Sequence, residues 1–262
     1  MVSDSYRVDV VKLGQWDWAP GFEMFWMDPN APDEPLALVG VVIRGGGKTV
    51  MVNAGPNPGY LPTMNERWSA FDPRHQLRVA DDQRLEAALG SLDLTLDDVD
   101  LVIATPFQAY ATGNLLRFPR AEIGLSRRGW IDFHAPRWRE HPHDFRPFCI
   151  PDDVLAGLVT DAWPRVRLLE DEAEMLPGLS VFWTGGHHRS SLAVKVQTTQ
   201  GNVIASDSFF RYENVEQNRP LGINESLEEV LVAYDRIRRE AEILIPLYDP
   251  RVFQRHPGGR VA

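Results

Sequence analysis

Histidines that could ligate a metal ion or carry a proton concentrate in one stretch, which reads WIDFHAPRWREHPHDFRPF. It contains His134, His141 and His143, and the His-x-His spacing of the last two would place both imidazoles on one face of a strand. A metal site here is therefore conceivable. However, prolines flank the pair, and neighbouring arginines would repel a cation. We expect a solvent-exposed loop or a lid over a pocket, with a relocated metal centre as the alternative.

A second segment is predicted at a position where catalytic residues are expected, but it lacks the usual catalytic side chains. The apolar run DLVIAT ends at a proline, which indicates a buried strand that delivers a loop to the edge of a sheet. Loops at such positions often hold catalytic residues. The residues delivered here are Pro106, Phe107, Gln108, Ala109, Tyr110 and Ala111. None of them offers a carboxylate, an imidazole, a thiol or a serine hydroxyl.

Common nucleophile and phosphate-binding motifs are missing elsewhere in the sequence. There is no Gly-x-Ser-x-Gly elbow, and Cys149 lies beside Pro151 without an evident activating partner. Three glycines at 45–47 belong to a predicted hairpin and lack the lysine and the strand–helix context of a phosphate loop. Ser206 could be a nucleophile in principle. Its position at the end of a predicted strand, where a small residue fits, favours a structural role instead.

Strands dominate the first part of the chain, and helices then join them. Tyr6–Leu13 alternates as a strand, and ALVGVVIR, GGG and KTVMVN form a predicted hairpin. Asp81 and Asp82 are predicted to cap a helix. AEIGLS and VRLLE are predicted strands, with a helix at Asp152–Ala162 between them.

The second part repeats this order. LSVFWT, SLAVKVQT and NVIAS are predicted strands, and a helix follows at Ser226–Ala241, with a capping-box pair at Ser226 and Glu229. ILIPL then closes the pattern. The repeated order favours an α+β fold in which two sheets pack face to face with helices outside, a four-layer αββα sandwich. We expect a single domain spanning 1–262.

Composition limits the partners and the compartment. A chain of 262 residues with 44% hydrophobic content can bury a substantial core, and its net charge of −10 argues against nucleic acid as a partner. No apolar run approaches the roughly 18 residues that span a bilayer. The N-terminus lacks the basic start and apolar core of a signal peptide, and one cysteine cannot form an internal disulfide. The expected location is the cytoplasm.

Five segments, in the same order, resemble the metallo-β-lactamase superfamily and its branch of acyl-homoserine-lactonase-like enzymes. They read VMVNAGP, TPFQAYATGNLLRFPRAEI, WTGGHHRSSLAVKV, GNVIASDSFFRYEN and ILIPLYDPRVF. The resemblance covers nearly the whole chain and implies the αββα sandwich. It also implies that the loop after Asp100–Thr105 and the loop around His187 meet at one edge of the two sheets.

The same resemblance implies a metal site that has lost most of its ligands. The family holds two metal ions, and its ligand positions fall here on Pro106, Gln108, Tyr110, Ala111 and Tyr248. Only His187 and the bridging carboxylate Asp207 are retained. Zinc normally takes three protein ligands in a catalytic site and four in a structural one. We therefore expect no cofactor, with one weakly bound Zn or Fe at His187 and Asp207 as the alternative.

Two interpretations of the retained residues stay open. In one, His187 and Asp207 are an inherited hydrogen-bonded pair, and Tyr110 and Tyr248 fill the space of the lost metals. In the other, His187 is a general base that Asp207 orients, and one phenol donates to a developing oxyanion. The candidates for substrate contact are Gln108, His188, Phe210 and Trp138.

The function expected from these residues is that of a small-molecule hydrolase with a degenerate metal site. Its substrate would be an ester, a lactone or a related acyl compound, and it would act without the usual two metals through His187 and Asp207. The alternative is a catalytically silent relative that binds a small ligand or partner in the old pocket. We expect a small-molecule partner, no nucleic acid, no membrane and a possible homodimer.

Overall fold

Two β-sheets with helices outside them make up the fold. The computed structural model describes residues 6–136 and 146–262, so Trp138, His141 and His143 lie outside the described residues. The strands are β1 (Arg7–Ala19), β2 (Glu34–Gly45), β3 (Lys48–Val52), β4 (Leu77–Arg78), β5 (Leu101–Ala104), β6 (Glu122–Ser126), β7 (Val166–Leu169), β8 (Glu172–Leu176), β9 (Leu179–Trp183), β10 (Leu192–Thr198), β11 (Gly201–Ser206) and β12 (Ile243–Pro246).

The helices are mostly short. They are α1 (Gly21–Met24), α2 (Leu61–Ser69), α3 (Leu85–Gly90), α4 (Ala109–Thr112), α5 (Arg127–His134), α6 (Arg146–Cys149), α7 (Asp152–Val159), α8 (Tyr212–Glu216), α9 (Leu227–Glu240) and α10 (Val252–Arg255). Within the described ranges, no helix combines the length and apolar character that crossing a bilayer requires.

Strand order brings the ends of distant segments together. In the first sheet the order is β4-β1-β2-β3-β5-β6-β7, and in the second it is β12-β11-β10-β9-β8. The strands from β3 through β5 and β6 to β7 run parallel, as do β11 and β12. A parallel strand in the middle of a sheet is covered on both faces, as the fully buried LVIA of β5 shows. Their carboxyl ends lie at the same edge of the fold.

The second sheet has two distinct buried faces. Successive side chains of a strand point to opposite faces. One set packs against α9, and this outer cluster contains Phe182, Ala193, Ile204, Val230, Tyr234 and Ile237. The alternate set, which includes Val181, Val194 and Val203, belongs to the core shared with the first sheet. On the other side, α3 contacts β1, and α5 contacts β6 and β7. The four-layer αββα sandwich is confirmed.

Two helix boundaries differ from the prediction. Asp81–Gln83 form a separate turn of 3₁₀ helix, and the extended backbone of Arg84 delays the start of α3 to Leu85. Consequently Asp81 and Asp82 do not cap α3. The helix predicted at Asp152–Ala162 ends at Val159, because Thr160 leaves the helical conformation.

The strand β8 was not predicted from the sequence. Its residues read EAEML, and its side chains are mostly exposed or half-buried. It lies at the edge of the second sheet, where one side of the strand has no neighbour. An edge position tolerates charged residues, so the apolar pattern typical of a strand is weak there.

Candidate active site

The predicted meeting of two loops at the sheet edge is observed. The loop after β5 begins at Thr105, whose hydroxyl accepts a hydrogen bond from the Leu192 amide at 2.8 Å. Two residues later, the Phe107 amide donates to Ser190 Oγ at 2.7 Å. Ser190 lies in the segment that connects β9 to β10, and Leu192 begins β10. These bonds hold the loop after β5, which lacks the usual catalytic side chains, against the loop that carries the histidines.

Glycines shape the loop that carries the histidines. Gly185 and Gly186 have φ of 54° and 67°, in the left-handed region that favours glycine. A side chain at Gly186 would meet backbone atoms of Val230 in α9. The Glu229 carboxylate accepts from the Gly186 amide at 3.1 Å, instead of completing the predicted capping box with Ser226. The loop is therefore fastened to the first turn of α9.

Asp207 receives hydrogen bonds from three side chains. It is fully buried directly after β11, and its Oδ2 accepts from Ser191 Oγ at 2.5 Å and lies 2.9 Å from His187 Nδ1. Its Oδ1 accepts from the Thr105 hydroxyl. Because an ionised carboxylate can only accept, the proton of neutral His187 lies on Nδ1. His187 Nε2 is then left with its lone pair.

His188 is held in the opposite tautomer. Its Nδ1 accepts from the Ser190 amide at 3.2 Å and lies 2.7 Å from Ser190 Oγ. Because Nδ1 accepts from this amide, it carries no proton, so the Ser190 hydroxyl, which accepts from the Phe107 amide, donates its own proton to the imidazole. His188 therefore carries its proton on Nε2 and acts as a donor there.

Tyr110 and Tyr248 face each other where the resemblance places two lost metal ligands. Their hydroxyl oxygens are 3.1 Å apart. Burial raises the pKa of both phenols, and the neighbouring Asp207 carboxylate raises the pKa of each further, so both stay protonated. One phenol donates to the other. The phenol that accepts has no second hydrogen-bond acceptor among the described residues. Its own proton is therefore available to another acceptor.

These side chains share one pocket of about 420 Å³. Of the predicted site residues, the pocket is lined by Gln108, Tyr110, His187, His188, Phe210 and Tyr248. Asp207 lies behind His187, while Trp138 is outside the described residues. The structure thus brings together every described residue on which the functional interpretation depends. Their catalytic and binding roles stay predictions.

The rest of the wall was missed by sequence reasoning. Aromatic rings form most of it, and those not predicted are Trp16, Phe22, Trp68, Phe71 and Phe148. His75 stacks on Trp68 with ring centroids 5.6 Å apart. Glu23 also lines the pocket. The only sequence signal for Glu23 was its position, as an acidic residue, inside the aromatic stretch GFEMFW.

A metal centre of the resembled kind does not fit these residues. No group of three His, Cys, Asp or Glu side chains that could hold an ion occurs in 6–136 or 146–262. His187 Nδ1 bonds Asp207 directly, and Pro106 and Ala111 have no donor atom. His134, in α5, is exposed, and its Nδ1 lies 2.9 Å from the Trp130 carbonyl oxygen. The other members of its predicted cluster, His141 and His143, are outside the described residues.

Three solved structures to which this chain is similar are named as hydrolases. An N-acyl homoserine lactone hydrolase, with N-hexanoyl-L-homoserine bound at its catalytic metal center, is 15% identical at a TM-score of 0.76, over 97% of each chain. A probable metal-dependent hydrolase from Staphylococcus aureus is 16% identical at 0.70, over 90% of this chain and 85% of its own. A hydrolase in the beta lactamase superfamily is 10% identical at 0.62, over 99% and 93%.

No protein-family model and no curated protein matches the chain. The structural likenesses nevertheless establish the metallo-β-lactamase fold, in the form found in the lactone hydrolase. The resemblance drawn from the five sequence segments is confirmed at the level of the fold.

Proposed function

We propose that this protein hydrolyses a small ester, lactone or related acyl compound by side-chain acid–base chemistry instead of a metal-bound nucleophile. The observation that carries the proposal is the hydrogen bonding of Asp207. Its carboxylate holds His187 in the tautomer that leaves Nε2 able to accept a proton. His187 also lines the pocket in which a substrate would lie. A general base needs this combination of tautomer and access.

The reaction follows from these roles. His187 Nε2 takes a proton from water as the water oxygen bonds to the acyl carbon, and the carbonyl oxygen becomes an oxyanion. Of Tyr110 and Tyr248, the phenol whose proton is not used in the bond between them donates a hydrogen bond to that oxygen. When the intermediate collapses, the C–O bond to the alcohol breaks, and the imidazolium returns the proton to the departing oxygen. The products are a carboxylic acid and an alcohol.

Asp207 acts on the reaction through His187 and is a positioning residue. It stabilises the imidazolium that forms during the first step. Thr105 and Ser191 hold the carboxylate in turn, so that its orientation does not depend on the histidine alone. Buried polar groups that are fully hydrogen-bonded in this way keep a single arrangement.

A second candidate function is ligand binding without turnover. The observation that favours it is the packing of the aromatic wall. Phe210 and Tyr248 have ring centroids 4.4 Å apart, and the His187 ring lies edge-on to Phe210 at 5.1 Å. Rings in mutual contact can occupy the volume of two lost metal ions without any catalytic role.

The test is a screen of small lactones, esters and thioesters in the presence of chelator. Any turnover is then remeasured with His187→Ala and Asp207→Asn. We expect each change to lower turnover by at least about a hundredfold, while circular dichroism shows a folded protein. His134→Ala, which removes an exposed imidazole, should change the rate little.

Activity that survives both changes would contradict the assigned base. A ligand that binds tightly and is never turned over would favour the binding function instead. Tyr110→Phe and Tyr248→Phe separate the phenols: the variant that loses the oxyanion donor should lower kcat more than it raises KM.

A further inference from the structure

The charges around the pocket are unequal. No lysine or arginine is found among its described lining residues. Two carboxylates line it, and Glu225 is already paired with Arg189 at 3.0 Å. In the described part of the chain, the Glu23 carboxylate has neither an ion pair nor a hydrogen bond. Glu23 is therefore the one lining charge that no cation of the described residues neutralises.

Glu23 is held in place by its backbone. Its carbonyl oxygen accepts from the amides of Gly222 and Ile223, both at 3.0 Å. Gly21, two residues earlier, packs so closely that a side chain there would meet the Ala31 backbone. The helix α1 is thus fixed against two other segments. The acid reaches the pocket from a rigid position.

Burial of this acid without a partner disfavours its ionised form. Burial raises the pKa of Glu23 to about 7, because the ionised form has lost water and gained no partner. His75 does not supply the missing charge, since burial lowers its pKa. An ionised carboxylate in such surroundings is stabilised by any cation that enters the pocket.

The aromatic wall suits the same kind of ligand. Trp16 and Trp68 lie 5.6 Å apart with their planes inclined by 57°, and Trp16 meets Tyr110 edge-on at 5.2 Å. Trp16, Trp68 and Tyr110 all line the pocket, which gives it an aromatic wall. Aromatic side chains that line a site attract organic cations, including quaternary ammonium groups.

We propose that the pocket binds an organic cation, an amine or a quaternary ammonium group, whose charge lies against Glu23 and whose apolar surface contacts the aromatic wall. The substrate class then follows, and this step rests on the proposed hydrolase function. It is an acyl ester or lactone that carries a positively charged nitrogen.

The test compares two probes of the same shape. Butyrylcholine carries a quaternary nitrogen, and 3,3-dimethylbutyl butanoate has a neutral carbon in its place. Binding is followed by quenching of tryptophan fluorescence, because Trp16 and Trp68 line the pocket. An apolar pocket alone would favour the neutral probe. We expect butyrylcholine to bind at least about tenfold more tightly, which requires the carboxylate and the rings.

Glu23→Gln should reduce this preference to less than about threefold and leave the affinity for the neutral probe within about twofold. Glu66→Gln is the matched control, since it removes the same charge from an exposed position on α2 and should keep the full preference. The comparison on the unaltered protein needs no variant, so misfolding of Glu23→Gln would leave the test intact.

Equal binding of the two probes, tighter binding of the neutral probe, or a preference retained in Glu23→Gln would overturn the inference. Because affinity and hydrolysis are measured separately for each probe, the two proposals fail separately. Hydrolysis of the neutral ester without a preference for the cation would overturn only the inference. A preference without hydrolysis would support it and count against the hydrolase.

Discussion

Asp207 and Glu23 show how burial acts differently on two carboxylates of one site. Asp207 is fully buried but accepts three hydrogen bonds, so its charge is compensated within the protein. Glu23 is less deeply buried and has no such partners in the described residues. In the proposed functions, the Asp207 carboxylate orients a base, whereas the Glu23 carboxylate interacts with a ligand that enters the pocket.

The raised pKa of Glu23 predicts a pH dependence of stability. Between its ordinary pKa of 4.5 and its folded value of about 7, the folded protein keeps a proton that the unfolded chain has lost. The free energy of unfolding therefore falls as pH rises through this window, by at most about 1.4 kcal/mol per pH unit from this group. Glu23→Gln should remove this contribution.

The measurement is urea unfolding of both proteins at several pH values from 4.5 to 8. The stability of Glu23→Gln relative to the original protein should increase with pH and level off above about 7. Taking this difference cancels the contributions of His75 and His256 to the free energy of unfolding. Their pKa values are lowered, so their contributions change with pH in the opposite direction. A difference that does not vary with pH would show that Glu23 is solvated.

At the scale of elements, the site depends on two loops that bond to each other. Ser190 is the central link, because its hydroxyl accepts from the Phe107 amide and donates to His188. The same loop is fastened to α9 through Gly186 and Glu229. The position of His187 is therefore set by two sheets and a helix, and it does not rely on the conformation of one loop.

Ser190→Ala should weaken this link. The change leaves the buried Phe107 amide without its acceptor, at a cost of about 1–3 kcal/mol in the free energy of unfolding. Urea unfolding measures the loss, with Ser69→Ala as the control. Among the described residues, the Ser69 hydroxyl takes part only in an exposed hydrogen bond with Gln76, so its removal should cost less than about 0.5 kcal/mol. Equal losses in the two variants would contradict a structural role for Ser190.

At the scale of the whole molecule, the core is built from apolar side chains of both sheets. Buried apolar residues run continuously through both sheets, and the outer face of the second sheet is covered by α9. Hydrophobic burial of this extent is the main source of stability in a domain of this size. The donor set of the described pocket residues, in turn, does not match a dinuclear centre.

We therefore expect the purified protein to carry much less than two equivalents of zinc, iron or manganese per chain. Chelators should leave its melting temperature nearly unchanged, because no folding free energy would come from metal binding. Elemental analysis and a thermal scan with and without chelator check both statements. Two tightly held ions per chain would direct attention to His141 and His143, outside the described residues.

The sequence by itself determined the layered fold and the identity of the residues at the strand ends. The strand and helix patterns, their order and the resemblance of the five segments were enough to predict the αββα sandwich, because each of these signals lies within a short stretch of the sequence. The prediction failed where local signals are weak, as in the acidic edge strand β8 and the turn before α3.

Only the tertiary structure decided how the site is assembled. Thr105 and Asp207 are 102 residues apart, and the bonded hydroxyls of Tyr110 and Tyr248 are separated by 138 residues. Glu23 comes from a short helix with no motif, yet it lines the same pocket. Such contacts depend on which strand ends lie side by side and on how α1 is clamped. Those are consequences of sheet order and packing over the whole chain, and no short segment contains them.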